Sequence, residues 1–289
     1  MLQDTFYQQL QELPAFRALL RAVEADFYVD LPMPAPVLDL GCGDGHFAEV
    51  LHREAFAHKL DMGLDPWIGP LREARARDAH RILTHADGAR MPFPDAHFAT
   101  VISNSVLEHI PDVEPVVREV SRVLQPGGAF YFCVPGPNFR QFLSVARILD
   151  ALRLRSLAEA YRHLFDRISR HRYYNTPEEW IERLSRAGLH VECWWSYFSP
   201  AALAALEWGH PLGLPSILAK KLTGRWLLVP TRWNLAFTAA LLRRYYEEPL
   251  PEQGAYLFFI ARRMQDERNR KQGAILGRSG RNGTEMEEL

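Results

Sequence analysis

The sequence predicts an α/β protein built on a parallel, doubly wound sheet, and two observations carry that prediction. Between residues 36 and 134, short apolar runs alternate with stretches of helical spacing. That alternation puts helices on both faces of a parallel sheet, with ligands at the carboxyl ends of its strands. The first run, 37–40, ends in Gly41, Gly43 and Gly45 and passes straight into a helix-like stretch. Glycine belongs where backbone turns sharply or lies against a ligand, because a Cβ would collide with one or the other.

Strands are expected at 37–40, 60–65, 81–85, 98–103 and 129–134, each a short apolar run. Helical spacing covers 47–53, 71–77 and 113–124. The last is the clearest, with Val113, Val116, Val117, Val120 and Leu124 on one face. Asp112 is its expected N-cap, and Gln125-Pro126-Gly127-Gly128 stops it. From Pro135 the alternation lapses. Residues 140–172 read as helical and basic, with eight arginines against Asp150, Glu159 and Asp166. Thr176 then caps a helix, with Pro177 in its first position and Glu179 completing a capping box. Gly188 ends that helix, 189–198 reads as a strand, 199–252 interrupts again and 255–261 is the last strand.

The expected organisation is an N-terminal helical segment (1–35), a cofactor-binding core (36–134) and a basic helical cap (135–175). A core helix and strand (176–198), an apolar and basic insertion (199–252), a last core strand (253–264) and a tail (265–289) follow. The tail is polar and glycine-rich, the composition of a disordered segment.

With 289 residues and 47% hydrophobic content, a sizeable core is available. A net charge of −1 excludes a molecule-wide polyanion binder, so any such role must be local. Cys42, Cys133 and Cys193 are odd in number and far apart, which gives neither a disulfide framework nor a zinc site. A reducing, cytoplasmic compartment is expected. The first ten residues are polar, against a secretory signal. No run of 18 apolar residues occurs, so no transmembrane helix is expected.

Asp39 is the odd residue of the first strand. A buried acid costs several kcal/mol unless paired, so it should face hydrogen-bond donors or positive charge, as a nucleotide-like ligand with a cationic part would provide. Asp65 ends the second strand, where a carboxylate can accept both hydroxyls of a ribose. Asp87 ends the third, in the stretch 85–88. A nicotinamide dinucleotide site wants its third glycine at 46, where this chain has His46, and it does not ask for three acids in succession.

The series Asp39, Gly41, Gly43, Gly45 resembles motif I of the class I S-adenosylmethionine-dependent methyltransferases. Residues 90–95, 104–110 (Asn-Ser-Val-Leu-Glu-His-Ile) and 119–128 extend the likeness to that family's small-molecule and lipid branch. It covers 36–134 and, less specifically, 174–192. The resemblance implies a seven-stranded, mostly parallel sheet whose last hairpin is antiparallel, with S-adenosyl-L-methionine as cofactor and no metal. By that resemblance Asp39 and the Gly41-Cys42-Gly43 backbone hold the methionine part. Asp65, with Pro66 beside it, holds the ribose, and Asp87 with Gly88 holds the adenine. Ser103 or Asn104 lines the methionine amino group, and Trp67 either flanks the adenine or anchors the next helix.

An oxygen acceptor needs a base, and His109 is the best-placed candidate. His171, Tyr173 and Tyr174 form a second cluster suited to an acceptor pocket. No Asn-Pro-Pro-aromatic sequence follows the fourth strand, against a nucleic-acid substrate. Residues 208–246 contain Lys220, Lys221, Arg225, Arg232, Arg243 and Arg244 and no acid, interleaved with Trp208, Trp226 and Trp233. Such a mixture suits either a lid or the interface of an anionic membrane, at its inner face. The expected function is methyl transfer, on oxygen, to a small or lipid-linked acceptor. A nicotinamide-dependent oxidoreductase and a membrane-associated cofactor-binding protein without turnover are the alternatives.

Overall fold

The structure is a computed structural model that describes residues 4–54 and 58–265. Seven strands form one sheet: β1 (Val37–Leu40), β2 (Leu60–Asp65), β3 (His80–His85), β4 (Phe98–Asn104), β5 (Leu124–Pro135), β6 (Leu189–Tyr197) and β7 (Tyr256–Arg263). Their order is β3-β2-β1-β4-β5-β7-β6. The first five are parallel, and β7 runs antiparallel to both β5 and β6. This is the expected fold class.

Strand order reverses between β1 and β4, which opens a crevice at their carboxyl ends. Alternation along β5 divides the core between the two sheet faces. Tyr131 and Cys133 pack with the N-terminal and inserted helices, while Phe130, Phe132 and Val134 pack on the opposite side. There Phe132 stacks on Phe259 at 4.8 Å, and Trp180 is fully buried against both rings.

The N-terminal segment forms α1 (Thr5–Glu12) and α2 (Ala15–Val29). In the core lie α3 (His46–Glu54), α4 (Ile68–Arg77) and α5 (Glu114–Val123). The first insertion folds as α6 (Phe139–Phe142), α7 (Ser144–Ala151) and α8 (Arg155–Ser169), and α9 (Pro177–Arg186) returns to the sheet. The second insertion supplies α10 (Pro200–Leu212), α11 (Leu214–Thr223) and α12 (Arg232–Tyr246).

The capping box of Thr176 and Glu179 is formed in both directions. Two local expectations are corrected. Val113, not Asp112, occupies the N-cap of α5; Asp112 instead accepts from the Glu114 N–H at 3.3 Å. Residues 125–128 do not leave the sheet, because Leu124 already pairs with Phe98 and a register shift before Thr100 absorbs the Pro-Gly-Gly stretch. The expected tail, apart from Gln265, lies outside the described residues.

Candidate active site

Backbone at Gly41, Gly43 and Gly45 lies in the left-handed region, with φ of 77°, 55° and 74°. At Gly41 a Cβ would lie 2.4 Å from Val106, and at Gly45 3.0 Å from Ala74, so these two glycines close the turn onto its neighbours. Gly43 has nothing within 4 Å of an added Cβ, so its backbone faces open space where a ligand fits. The Asp65 carboxylate pins this turn, accepting from the Gly43 N–H at 3.0 Å and, on its other oxygen, from the Trp67 N–H at 2.8 Å. Burial raises its pKa against those two bonds. Trp67 is 71% exposed, so it is no buried anchor for α4 but a free aromatic face beside the strand tip. Pro66 is exposed, its carbonyl 3.0 Å from His85 Nε2.

Asp39 finds its partner inside the protein. His80, at the start of β3, reaches across β2 and sets Nε2 2.9 Å from Asp39 Oδ2, with both side chains buried. It can do so because Gly63 stands between them; a Cβ there would meet His80 Cδ2 at 2.9 Å. The demand that pointed from Asp39 to a ligand is thus met by a histidine of the sheet. Cys42 is buried, and burial first, then Asp39, pushes its thiol far up. Asp87 is exposed and accepts from the Ala89 N–H at 2.9 Å, while Gly88 packs on Leu40.

At the tip of β4, Ser103 Oγ donates to the Leu40 carbonyl at 3.1 Å and ties β4 to β1. The Asn104 amide is engaged on both sides: Nδ2 donates to Glu24 at 2.7 Å, and Oδ1 lies 3.0 Å from Cys133 Sγ. Glu24, fully buried on α2, also accepts from Arg21, from Ser105 Oγ at 3.2 Å and from the Tyr197 hydroxyl at 2.9 Å. Ser105 sits at φ 54°, a strained conformation for a non-glycine residue, held by that bond and by one from Arg21 at 3.1 Å. Burial opposes the Arg21 charge, but Glu24 holds its pKa up.

Beyond Ser105 a 3₁₀ turn, Leu107–His109, is clasped by the segment after α8. Arg172 donates its N–H to the Glu108 carbonyl at 3.0 Å and its Nε–H to the His109 carbonyl at 3.2 Å. The Tyr173 hydroxyl lies 2.6 Å from the Leu107 carbonyl and 2.9 Å from that of Ile110. His109 Nδ1 is 3.1 Å from the Arg170 carbonyl, which can only accept, so Nδ1 carries the proton and Nε2 keeps its lone pair.

A cavity of about 760 Å³ opens beside this turn. Ser105, Glu108 and His109 line it from the core, Arg17 and Arg21 from α2, and Arg170 and His171 from the end of α8. Phe16, Leu206 and Trp226 supply apolar wall. Glu108 is 1% exposed, and neither carboxylate oxygen has a hydrogen-bond partner among the described residues. Burial raises its pKa to about 8. His109 Nε2 stands 3.9 Å from Glu108 Oε1, beyond direct bonding. His171 stacks on His109 with centroids 5.8 Å apart; its buried Nδ1 also lacks a hydrogen-bond partner among the described residues, and burial lowers its pKa to about 3. Burial lowers the His109 pKa as well.

Of the three residues expected to shape the acceptor pocket, His171 lines the cavity. Tyr173 and Tyr174 stand behind it: the first holds the 3₁₀ turn, and the second stacks on Phe139 and donates to Asp166. The sequence reading missed Arg21, Glu24, His80 and Glu108. Glu24 had a legible signal, since Leu20, Glu24 and Tyr28 share one face of α2 and put an acid on an apolar stripe. Glu108 had none, because it lies in a mixed stretch where neither helical nor strand period applies.

An acid-tipped crevice at a topological switch point, with an open glycine turn above it, defines a nucleoside-binding α/β fold of the class I methyltransferase type. Residues 38–132 match the family described as a methyltransferase domain, and this core is a class I S-adenosylmethionine-dependent methyltransferase domain. A Mycolicibacterium smegmatis protein named a probable S-adenosylmethionine-dependent methyltransferase is 31% identical over 176 residues, 60% of this chain and 59% of that protein. A malonyl-[acyl-carrier protein] O-methyltransferase of Legionella pneumophila is 30% identical over 141 residues, 48% of this chain and 46% of the relative. The chain therefore spans about half the length of these curated relatives. A chain from a complex of the Haloferax volcanii Trm112 methyltransferase activator with its candidate methyltransferase superposes with a TM-score of 0.53 at 18% identity. That match covers 92% of this chain and 100% of the other, and it shows the fold alone. The family implies S-adenosyl-L-methionine as cofactor, and the open space at Gly43 and the carboxylate of Asp65 fit it. These matches give the nicotinamide alternative no support.

Proposed function

We propose that the chain methylates a hydroxyl of an amphipathic, lipid-like acceptor held in the 760 Å³ cavity. The observation that carries this reading is the 3₁₀ turn, which sets a lone-pair nitrogen of His109 on the cavity wall, with the buried Glu108 carboxyl, unpartnered among the described residues, 3.9 Å from it. Bound S-adenosylmethionine supplies a methyl group already activated by its sulfonium. In this reading Asp65 takes the ribose hydroxyls, Asp87 and Gly88 the adenine, and the Gly41-Cys42-Gly43 backbone the methionine part. Asp39 acts from beneath the turn, held by His80, and Ser103 and Asn104 fix the tip of β4 beside it. Arg17, on the cavity wall within electrostatic reach of Asp44 in the turn, receives an anionic group.

His109 Nε2 would take the proton of an acceptor hydroxyl held in this cavity, so that the oxygen could receive a methyl group whose bond to the cofactor's sulfur breaks. The acid of Glu108, expected to be neutral below about pH 8, keeps a negative charge out of the wall beside His109. His171 lines the same space with a neutral ring.

The inner face of an anionic membrane is the proposed place of work. Trp233 and Phe237 are each 79% exposed on the second insertion, and Lys221, Arg225 and Arg244 of the same insertion are exposed as well. No helix among the described residues is long and apolar enough to cross a membrane.

The test uses methyl-labelled cofactor with the purified protein and a lipid extract. Label should pass to an extractable product, and His109→Gln should slow that transfer by roughly 10²–10⁴-fold without weakening S-adenosylhomocysteine binding. An unchanged rate in His109→Gln removes the histidine from its role. Absence of cofactor binding in the wild-type protein overturns the reading as a whole.

A further inference from the structure

A second cavity, of about 720 Å³, abuts the first. The two share Pro14, Phe16 and Gly213 as lining, so one wall separates them. Phe16 is that wall. Its ring lies 4.2 Å from the His210 ring, centroid to centroid, and fits against two glycines of the second insertion. A Cβ at Gly209 would stand 2.5 Å from Phe16 Cβ, and one at Gly213 would stand 2.6 Å from Phe16 Cε1.

The chambers differ in chemistry. The first carries Glu108, His109, His171 and the arginines. In the second, Leu10, Leu13, Leu235 and Leu242 form a buried floor, and Ala204 and Ala205 line a side too small to fill the space. Its rim carries Trp208, Phe237 and Arg244, all exposed, and so opens on the apolar and basic face of the second insertion.

We infer that the second chamber takes the aliphatic chain of the acceptor whose polar end lies in the first, with Phe16 as the divider between head and tail. This deepens the proposed function and rests on it. An aliphatic chain is the occupant the surroundings favour: most of the lining is apolar, Ser216, Asn234, Thr238, Arg244 and Tyr245 being the polar exceptions, and the buried titratable cluster of Glu108, His109 and His171 lies across Phe16. Both volumes fall within the ~300–1,000 Å³ usual for small-molecule sites.

Straight-chain fatty acids from hexanoate to tetradecanoate, below their micellar concentrations, serve as the probe, with the full-length protein saturated in S-adenosylhomocysteine. Calorimetry should show affinity rising by roughly four-fold per added methylene until the chamber is filled. Ala201→Trp, a change at the exposed rim that leaves the fold undisturbed, should stop that rise at a shorter chain. Phe16→Ala should extend it or tighten the longer acids by joining the chambers. Affinity independent of chain length in the wild-type protein, or the same dependence in Ala201→Trp, overturns the tail chamber. Saturation with S-adenosylhomocysteine is scored separately. Its failure removes the methyltransfer reading; its success beside a flat fatty-acid series removes only this inference.

Discussion

Replacing Glu108 with glutamine should change how stability depends on pH. The Glu108 carboxyl is enclosed and has no hydrogen-bond partner among the described residues, and the titratable groups facing it include Arg21, Glu24, His109, Cys133, Tyr173 and Tyr256. Burial, which dominates, raises its pKa from 4.5 to about 8 against the partial attraction of Arg21. Between those two values the folded protein holds a proton that the unfolded chain has released. The group's contribution is complete below about pH 4.5 and is lost as pH rises through about 8, so stability falls across that window. At ~1.36 kcal/mol per pH unit the ceiling is roughly 5 kcal/mol. Entry of water into the neighbouring cavity lowers it, and about 1–3 kcal/mol is expected, the cost of an unsatisfied buried polar group.

Glutamine keeps the shape and cannot ionise. Denaturant unfolding of both proteins from about pH 5 to about pH 9 should show wild type losing ground to Glu108→Gln as pH rises. The depressed histidines, His46, His109, His171 and His210, act in the opposite direction. Their contribution is present above the ordinary histidine value of 6.5 and is lost as pH falls through their lowered ones. They are common to both proteins and cancel in the difference. A wild-type-minus-variant difference that stays constant from pH 5 to 9 would refute the idea of a buried protonated acid on the cavity wall.

Two further outcomes are expected. Asp65→Ala should weaken S-adenosylhomocysteine binding by roughly 2–4 kcal/mol, because the ribose loses charge-assisted bonds and the Gly43 turn loses its pin; unchanged affinity by calorimetry contradicts the assignment. Gly63→Val should force His80 off Asp39 and leave a buried acid alone, destabilising the fold by about 3–5 kcal/mol. A melting temperature unmoved by that change would show that Asp39 does not depend on His80.

The parallel core was legible because its strands are short apolar runs between glycine and acid punctuation. Both 37–40 and 60–65 are reproduced to the residue by Val37–Leu40 and Leu60–Asp65. The cap of α9 was equally legible, since Thr176, Pro177 and Glu179 act within one turn. The partner of Asp39 was not. His80 lies 41 residues away and reaches Asp39 only because β2 carries a glycine at the crossing point. Nor was the division of labour among His171, Tyr173 and Tyr174, since three neighbours on an irregular segment point in directions that no sequence period fixes. Glu108 shows the same limit: its burial depends on the loop after α8 closing over the 3₁₀ turn.

The way the cavity is assembled bears on what it binds. Ser105, Glu108 and His109 are the lining residues that fall within the matched methyltransferase domain, 38–132. Phe16, Arg17 and Arg21 come from α2, Arg170 and His171 from the end of the first insertion, and Leu206, His210 and Trp226 from the second. The proposed base His109 therefore belongs to the shared core, whereas most of the cavity's shape, charge and apolar lining comes from segments outside it. Relatives that match through the core share the means of holding a sulfonium nucleoside without sharing an acceptor. Glu24 joins the two halves: from α2 it binds Asn104 and Ser105 of the core and Tyr197 of β6, so the helix bearing Phe16, Arg17 and Arg21 is fixed to the tip of β4. On the proposed reading, a change of acceptor in this architecture calls for substitutions on α2 and the insertions, and it leaves Asp65 and the glycine turn, the proposed cofactor grip, in place.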